Sequence, residues 1–278
     1  MKKKFLLLFI FATVLNYGQS NQVLDFKLRF SPQTRYDQAT STSSEFKLTY
    51  EGSEELLGAL KSQGVENPTI TKTSAEMESV LKTGKINAEG NFPVVIEYLK
   101  SVDANGKTII PNGTLLYGRG SLTALPKLDS IVSKGLDETF KNTVFQIVQS
   151  TFEQLALPEK KLKVGESFTQ DNPLNMPIGG LNINMSIKTT YHLKEIVGKN
   201  AFFDVDQVYT ANVLDADKNN INVSGTGTGK LTYDIPNYFT NENILAMKFN
   251  FDLKKEDVTV KLNMTNTFKQ KATISKIK

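Results

Sequence analysis

The chain has 278 residues, and its 33 Lys and Arg against 29 Asp and Glu leave a formal charge of +4, three units of which sit at Lys2, Lys3 and Lys4. Beyond those three lysines the balance is near neutral and no basic run remains, which excludes the concentrated positive surface that nucleic acid or an anionic membrane requires. Zero cysteines and one histidine, His192, exclude a disulfide scaffold, a catalytic thiol, a lipid-anchored N-terminal Cys and a His-rich metal centre, so no cofactor is expected.

The chain opens with Lys2-Lys3-Lys4, an apolar run from Phe5 to Leu15 and a polar stretch from Asn16 to Ser20. That is the layout of a cleaved signal peptide, residues 1–20, with cleavage after Gly18 or Ser20. The apolar run is too short for a membrane helix, which needs about 20 residues, and no later run is long enough. An exported protein, periplasmic or extracellular, is therefore expected.

Residues 21–120 read as a β region with one short helix over 53–63. From Val23 to Phe30, Leu24, Phe26, Leu28 and Phe30 alternate with Asp25, Lys27 and Arg29, and from Thr40 to Tyr50, Phe46, Leu48 and Tyr50 alternate with Lys47 and Thr49. Ser53 is placed to cap the helix. Glu54 and Glu55 suit its first turn, Leu56, Leu57 and Leu60 form its apolar stripe, and Gly64 ends it. Strands are expected near 68–76, 80–89, 93–102 and 107–116, with Asp103 to Gly106 as a hairpin turn.

Residues 121–157 change period. Phe140, Val144, Ile147, Val148, Thr151 and Leu155 recur at helical spacing, Gly135 separates them from a shorter helix expected around 126–134, and Pro158 stops the pattern. Residues 158–278 read as an antiparallel meander. Leu245, Met247, Phe249, Phe251 and Leu253 alternate with polar partners, and so do Val258, Val260, Leu262, Met264 and Phe268, followed by Ala272 and Ile274. The last run exceeds a usual strand, which predicts a bulge or bend near Asn266 or Gln270. A one-sided sheet needs a cover, and the helical segment supplies the apolar stripe for it. The fold class expected is mainly β: a strongly curved antiparallel sheet, an open or half-closed barrel, packed on two or three amphipathic helices. The N-terminal region and the meander are expected to share one core, with two separate β-domains as the alternative.

Three motifs invite chemistry, two of which fail on spacing and the third on its surroundings. Gly225 to Lys230 lacks the terminal glycine, hydroxyl and helix of a phosphate loop, so its alternating glycines read as a strand that neighbours approach closely. Asp215 to Asn220 begins like a calcium loop but lacks its Gly and its final Glu. Asp204, Asp206 and His192 all fall on polar strand faces, where solvation is the simple account. No catalytic, cofactor-binding or metal residue is nominated, and the chain is read as not an enzyme.

The residues from Leu157 to Phe168, Tyr191-His192-Leu193 and the glycine strand ending Tyr233-Asp234-Ile235 resemble a group of secreted Bacteroidetes-type proteins of unknown function. The likeness covers mainly residues 155–277 and departs at Pro236-Asn237-Tyr238, where the group more often carries a Gly-containing turn. The motifs describe strand starts and turns, so the resemblance implies no transferable site. More distantly, curved sheet with packed helices resembles the periplasmic lipoprotein-carrier fold, an architectural analogy.

The function expected is that of a non-catalytic envelope protein whose apolar sheet face binds a lipid, an acyl chain or a hydrophobic peptide. The candidate lining is Phe140, Val144, Val148, Met247, Phe249 and Phe251. The alternative is a structural or interaction module with a filled core, presenting its Thr, Lys and Asn to a protein partner.

Overall fold

The computed structural model describes residues 22–154, 159–178, 181–213, 220–255 and 257–277. The leader, the Pro158 break and most of the turn from Asp215 lie outside them. In chain order, β1 (Val23–Phe26) and β2 (Thr34–Glu51) precede α1 (Glu54–Ser62). Then β3 (Thr69–Thr83), β4 (Asn91–Asp103), β5 (Leu115–Ser121) and β6 (Lys127–Val132) lead to α2 (Glu138–Gln154). There follow β7 (Lys160–Lys163), β8 (Ser167–Ile178), β9 (Leu181–Val197), β10 (Asn200–Val213), β11 (Asn220–Asp234), β12 (Phe239–Lys255) and β13 (Val258–Lys276).

Eleven strands form one antiparallel sheet in the order β6-β5-β4-β3-β2-β13-β12-β11-β10-β9-β8, while β1 and β7 pair separately. The fold is mainly β, but the sheet is neither closed nor strongly curled, and the described residues contain two helices. Strand β13 keeps register with β2 over eighteen consecutive pairs, from Thr259↔Glu51 to Lys276↔Thr34, and no bulge interrupts it at Asn266 or Gln270. Its neighbours are equally long, so every turn of the pleat finds a partner and nothing forces a bend. Register shifts fall elsewhere, at Glu78/Ser79, Tyr117/Gly118, Phe202/Phe203 and Thr232/Tyr233.

Three expected elements differ. Residues 127–132 form strand β6 on the sheet edge instead of a helix, because Leu115 to Arg119 of β5 offer an unpaired ladder next to an apolar run too short to identify by periodicity. The strands expected at 68–76 and 80–89 are one strand, β3, carrying a bulge where a break was expected. The strand expected at 107–116 is mostly a loop turned by Gly113 at φ 78°, and the following strand starts at Leu115.

The apolar face is covered by an N-terminal segment as well as by α2. The segment from Val23 to Phe30 does not join the main sheet but crosses it, with Phe26 fully buried among the rings of Phe168, Tyr191, Phe203 and Tyr233. Farther along, Phe30 packs against Tyr36, Phe152 and Phe239. The Tyr233 hydroxyl locks this segment by donating to Lys27 O at 2.6 Å. Helix α2 covers the rest of that end, with Phe152 against Phe30, and it also packs on β6, where Gln149 Oε1 accepts the Leu128 N–H at 2.9 Å and so occupies the strand's free edge.

Strand β8, the other edge, is protected differently. Leu193 N donates to Glu166 O, which fixes the even-numbered residues of β8 as those bonded to β9. Pro173 and Pro177 therefore stand at outward-pointing positions, where their missing N–H groups cost no ladder bond and deny one to an incoming strand.

The capping of α1 is as the sequence predicts: Ser53 Oγ accepts the Leu56 N–H at 3.2 Å. The glycine strand is β11. A Cβ at Gly229 would stand 2.2 Å from Ile244 O and 3.1 Å from Leu245 Cα, so the backbone of β12 would have to move. Gly229→Ala is expected to cost about 1–3 kcal/mol. Gly58→Ala, in α1 with nothing within 4 Å, should instead stabilise by up to about 1 kcal/mol. Urea midpoints of the two variants check the contrast.

Candidate functional site

The apolar face of the sheet falls into two halves. At one end, two clusters are shut: Tyr36, Leu81, Phe92 and Leu116 under Phe30 and Phe152, and Leu193, Phe203, Leu231 and Tyr233 under Leu24 and Phe26. At the other end lies a third cluster built on Met185, Phe249 and Phe251, with Tyr209, Val223, Leu262 and Met264 against it. Register places Phe46 beside Met264 and Leu48 beside Leu262, so this cluster continues across β13 onto β2. Phe46, Leu48, Leu262 and Met264 are only half-buried, although they share a face with side chains that are fully closed off at the other end. Among the described residues, neither the crossing segment nor α2 packs there.

A row of neutral polar side chains separates the two halves. Ser44, Asn266, Gly227, Gln207, Thr189 and Gln170 follow one another across the strands, with Met247 between Asn266 and Gly227. Gln207 Nε2 donates to Thr189 Oγ1 at 3.1 Å, and the Tyr209 hydroxyl donates to Gln207 Oε1. Burial pushes the Tyr209 phenol up to about 12, so it remains a neutral donor at physiological pH. Gly225 and Gly227 make room for this arrangement: a Cβ on either would press on Tyr209 or Gln207 at 3.0–3.2 Å.

The six residues nominated from sequence divide between the ends. Met247, Phe249 and Phe251 lie at or beside the third cluster, the last two buried. Phe140, Val144 and Val148 lie on α2 at the opposite end, where Val144 is buried, Val148 packs on the first cluster and Phe140 is 39% exposed. No single cavity brings the six together among the described residues. Phe46, Leu48, Leu262 and Met264 belong to the site but were not nominated. Their alternation was visible, and what was missing was the knowledge that α2 docks elsewhere.

The polar candidates pair with one another on the opposite face. His192 Nε2 lies 3.1 Å from Asp206 Oδ2, and Lys194 Nζ lies 3.6 Å from Asp204 Oδ2, beside an open groove of about 440 Å³. Both members of the histidine pair are open to water, which screens the pair. Among the described residues, no group of three His, Cys, Asp or Glu could hold a metal. A second groove, of about 520 Å³, runs between the crossing segment and α2 over Leu28, Leu125 and Phe152. Two of its three cations are engaged: Arg29 donates to Thr123 O and pairs with Glu159, and Lys27 pairs with Asp25 and sits over the Tyr238 ring.

No family model matches this chain, and no curated protein matches it. Among solved structures it is similar to a mutant porin of Rh. blastica at 9% identity and a TM-score of 0.25, over 84% of this chain and 99% of that one. A second chain, described under asymmetric conductivity of engineered proteins, gives 9% identity and a TM-score of 0.23 over 85% and 100%. Likenesses this weak carry no argument about function.

Proposed function

We propose that the chain is an exported, non-catalytic envelope protein that holds a lipid, an acyl chain or a hydrophobic peptide against the uncovered half of its apolar sheet face. One observation carries this reading: Phe46, Leu48, Leu262 and Met264 stay half-exposed on a face whose other half the chain seals with its own aromatic residues. A contiguous apolar surface of this kind, rimmed by polar groups, is where a soluble protein meets an apolar partner. Export rests on the leader at residues 1–20.

The second reading is an interaction module that binds no small molecule. It is favoured by the filled half, where Phe26, Tyr36, Phe203 and Tyr233 leave no room under the crossing segment. Native mass spectrometry of protein purified without detergent, followed by solvent extraction, separates the two. The expected result is a stoichiometric apolar adduct that Leu262→Glu abolishes while Phe140→Glu, at the other end, retains it. A bare polypeptide mass from each preparation, with no uptake of added alkyl ligand, would transfer the assignment to the interaction module.

A further inference from the structure

The strands that line the proposed site bear no charge on that face at the positions named here, and the carboxylate of Asp103, on the same face across β3, adds no cation. On β2 these are Gln38, Thr40, Thr42, Ser44, Phe46, Leu48 and Tyr50, and on β13 the even positions from Val258 to Ile274 are all uncharged. The same holds for the odd positions of β12 from Asn241 to Leu253 and of β10 from Ala201 to Tyr209. An ionised carboxylate or phosphate drawn into this surface would lose hydration and meet no cation in return, which is costly for any anion.

The polar row nevertheless has one unfinished member. Asn266 Nδ2 donates to Ser44 Oγ at 2.6 Å, while its Oδ1 is buried and has no partner. An unpaired amide oxygen in such a place costs about 1–3 kcal/mol, which a ligand's donor would relieve. A serine hydroxyl can donate or accept, so a half-turn of the Asn266 amide would present an N–H instead, and a head group that both donates and accepts suits either orientation. From Asn266 the apolar positions Met264, Leu262 and Val260 run down β13 for about 20 Å at the usual strand rise. Phe249 and Phe46 flank Met264 on the neighbouring strands.

Resting on the ligand-binding reading above, we infer that the ligand is an uncharged amphiphile, an alkyl chain ending in a hydroxyl or a carboxamide. Its head bonds to Asn266, and its chain lies along Met264, Leu262 and Val260 between Phe249 and Phe46. Ionised fatty acids and anionic phospholipids are discriminated against by the absence of a cation on this face. The polar row sets the position of the head, and the apolar end takes the chain.

The test is equilibrium binding to the full mature chain at pH 8, with dodecan-1-ol, dodecanamide, methyl dodecanoate and sodium dodecanoate as probes, each below its aggregation threshold. The alcohol and the amide should bind about 10-fold more tightly than dodecanoate, the fold-change of one good hydrogen bond together with an avoided buried charge. Asn266→Leu should weaken alcohol and amide by about 5- to 10-fold, and weaken the methyl ester, which can only accept and so bonds only the turned amide, by less than either. If Asn266→Leu does not fold, Ser44→Ala serves instead: it removes the amide's present partner and should alter alcohol binding more than ester binding. Equal affinity for dodecanoate and dodecanol would overturn the inference while leaving the ligand-binding reading standing. Binding of none of the four probes would overturn both, and capture of an apolar peptide without any alkyl probe would replace the amphiphile by a peptide.

Discussion

Phe26→Ala is expected to lower the free energy of unfolding by about 3–5 kcal/mol, the range for truncating a fully buried aromatic side chain. Phe26 is 0% exposed, and four rings surround it at centroid distances of 4.9–6.3 Å. The wall on all sides is sheet, which relaxes poorly, so the cavity stays open and the loss falls in the upper part of the range. More than a side chain is at stake. Leu24, Leu28 and Phe30 belong to the same crossing segment, and Phe26 is its central anchor over the Leu193, Phe203 and Tyr233 cluster. Val23→Ala, on the same strand but 52% exposed, should change stability by less than about 0.5 kcal/mol. Urea denaturation followed by far-ultraviolet circular dichroism gives both values. A Phe26→Ala midpoint within error of the parent would mean that the segment does not seal this half of the face.

The second large effect is loss of the fold in alkali. Burial pushes Tyr98 and Tyr209 up to about 12 and raises Tyr36, Tyr191 and Tyr233 as well, since a phenolate inside the sheet's core would lack solvation. The unfolded chain releases these protons from about pH 10, whereas the folded chain keeps them to a higher pH. Between about pH 10 and pH 12 the unfolded state thus binds fewer protons, and stability falls with a slope of up to about 1.4 kcal/mol per pH unit for each buried tyrosine. Tyr98, held to about 12, loses up to about 3 kcal/mol over those two units, and the other four tyrosines act in the same direction against a stability of about 5–15 kcal/mol. Surface pairs weaken in the same direction: Glu76 holds the Lys100 ammonium above its usual value, and that contribution also fades as pH rises. A cooperative transition between about pH 10 and pH 12, with phenolate absorbance rising in step with the loss of circular dichroism, is the expected result. Gradual ionisation with the sheet intact would contradict it. Tyr233→Phe should lower the midpoint despite removing one titrating group, because Lys27 O loses its 2.6 Å donor and the crossing segment loses its lock.

Much of the local structure was legible in residue order because its causes are local. The alternation from Leu245 to Leu253 and from Val258 to Ile274 does mark one sheet face, and Ser53 does cap α1 through its hydroxyl. The alternation of Leu24, Phe26, Leu28 and Phe30 also marked a buried face, yet only Val23–Phe26 is a strand, and it pairs with β7 rather than with the large sheet. Period predicts which side chains are hidden, and says nothing about which surface hides them. Residues 127–132 show the same limit from the other side. Six residues with Leu128 and Ile131 three apart suit one turn of helix, and it was the free ladder of β5 that drew them into a strand.

The candidate site depended on this distinction. Composition and order alone determined the absence of cysteine chemistry, the single histidine, the near-neutral charge beyond the leader and the existence of a long one-sided meander, because each is a count or a short-range period. Only the tertiary structure decided that α2 docks on β6, that the segment from Val23 to Phe30 seals one half of the apolar face, and that Phe46, Leu48, Leu262 and Met264 are left half-open beside Asn266. Strand pairing joins residues as far apart as Thr34 and Lys276, so which apolar surface meets which cover is settled by sheet register and packing across the whole chain.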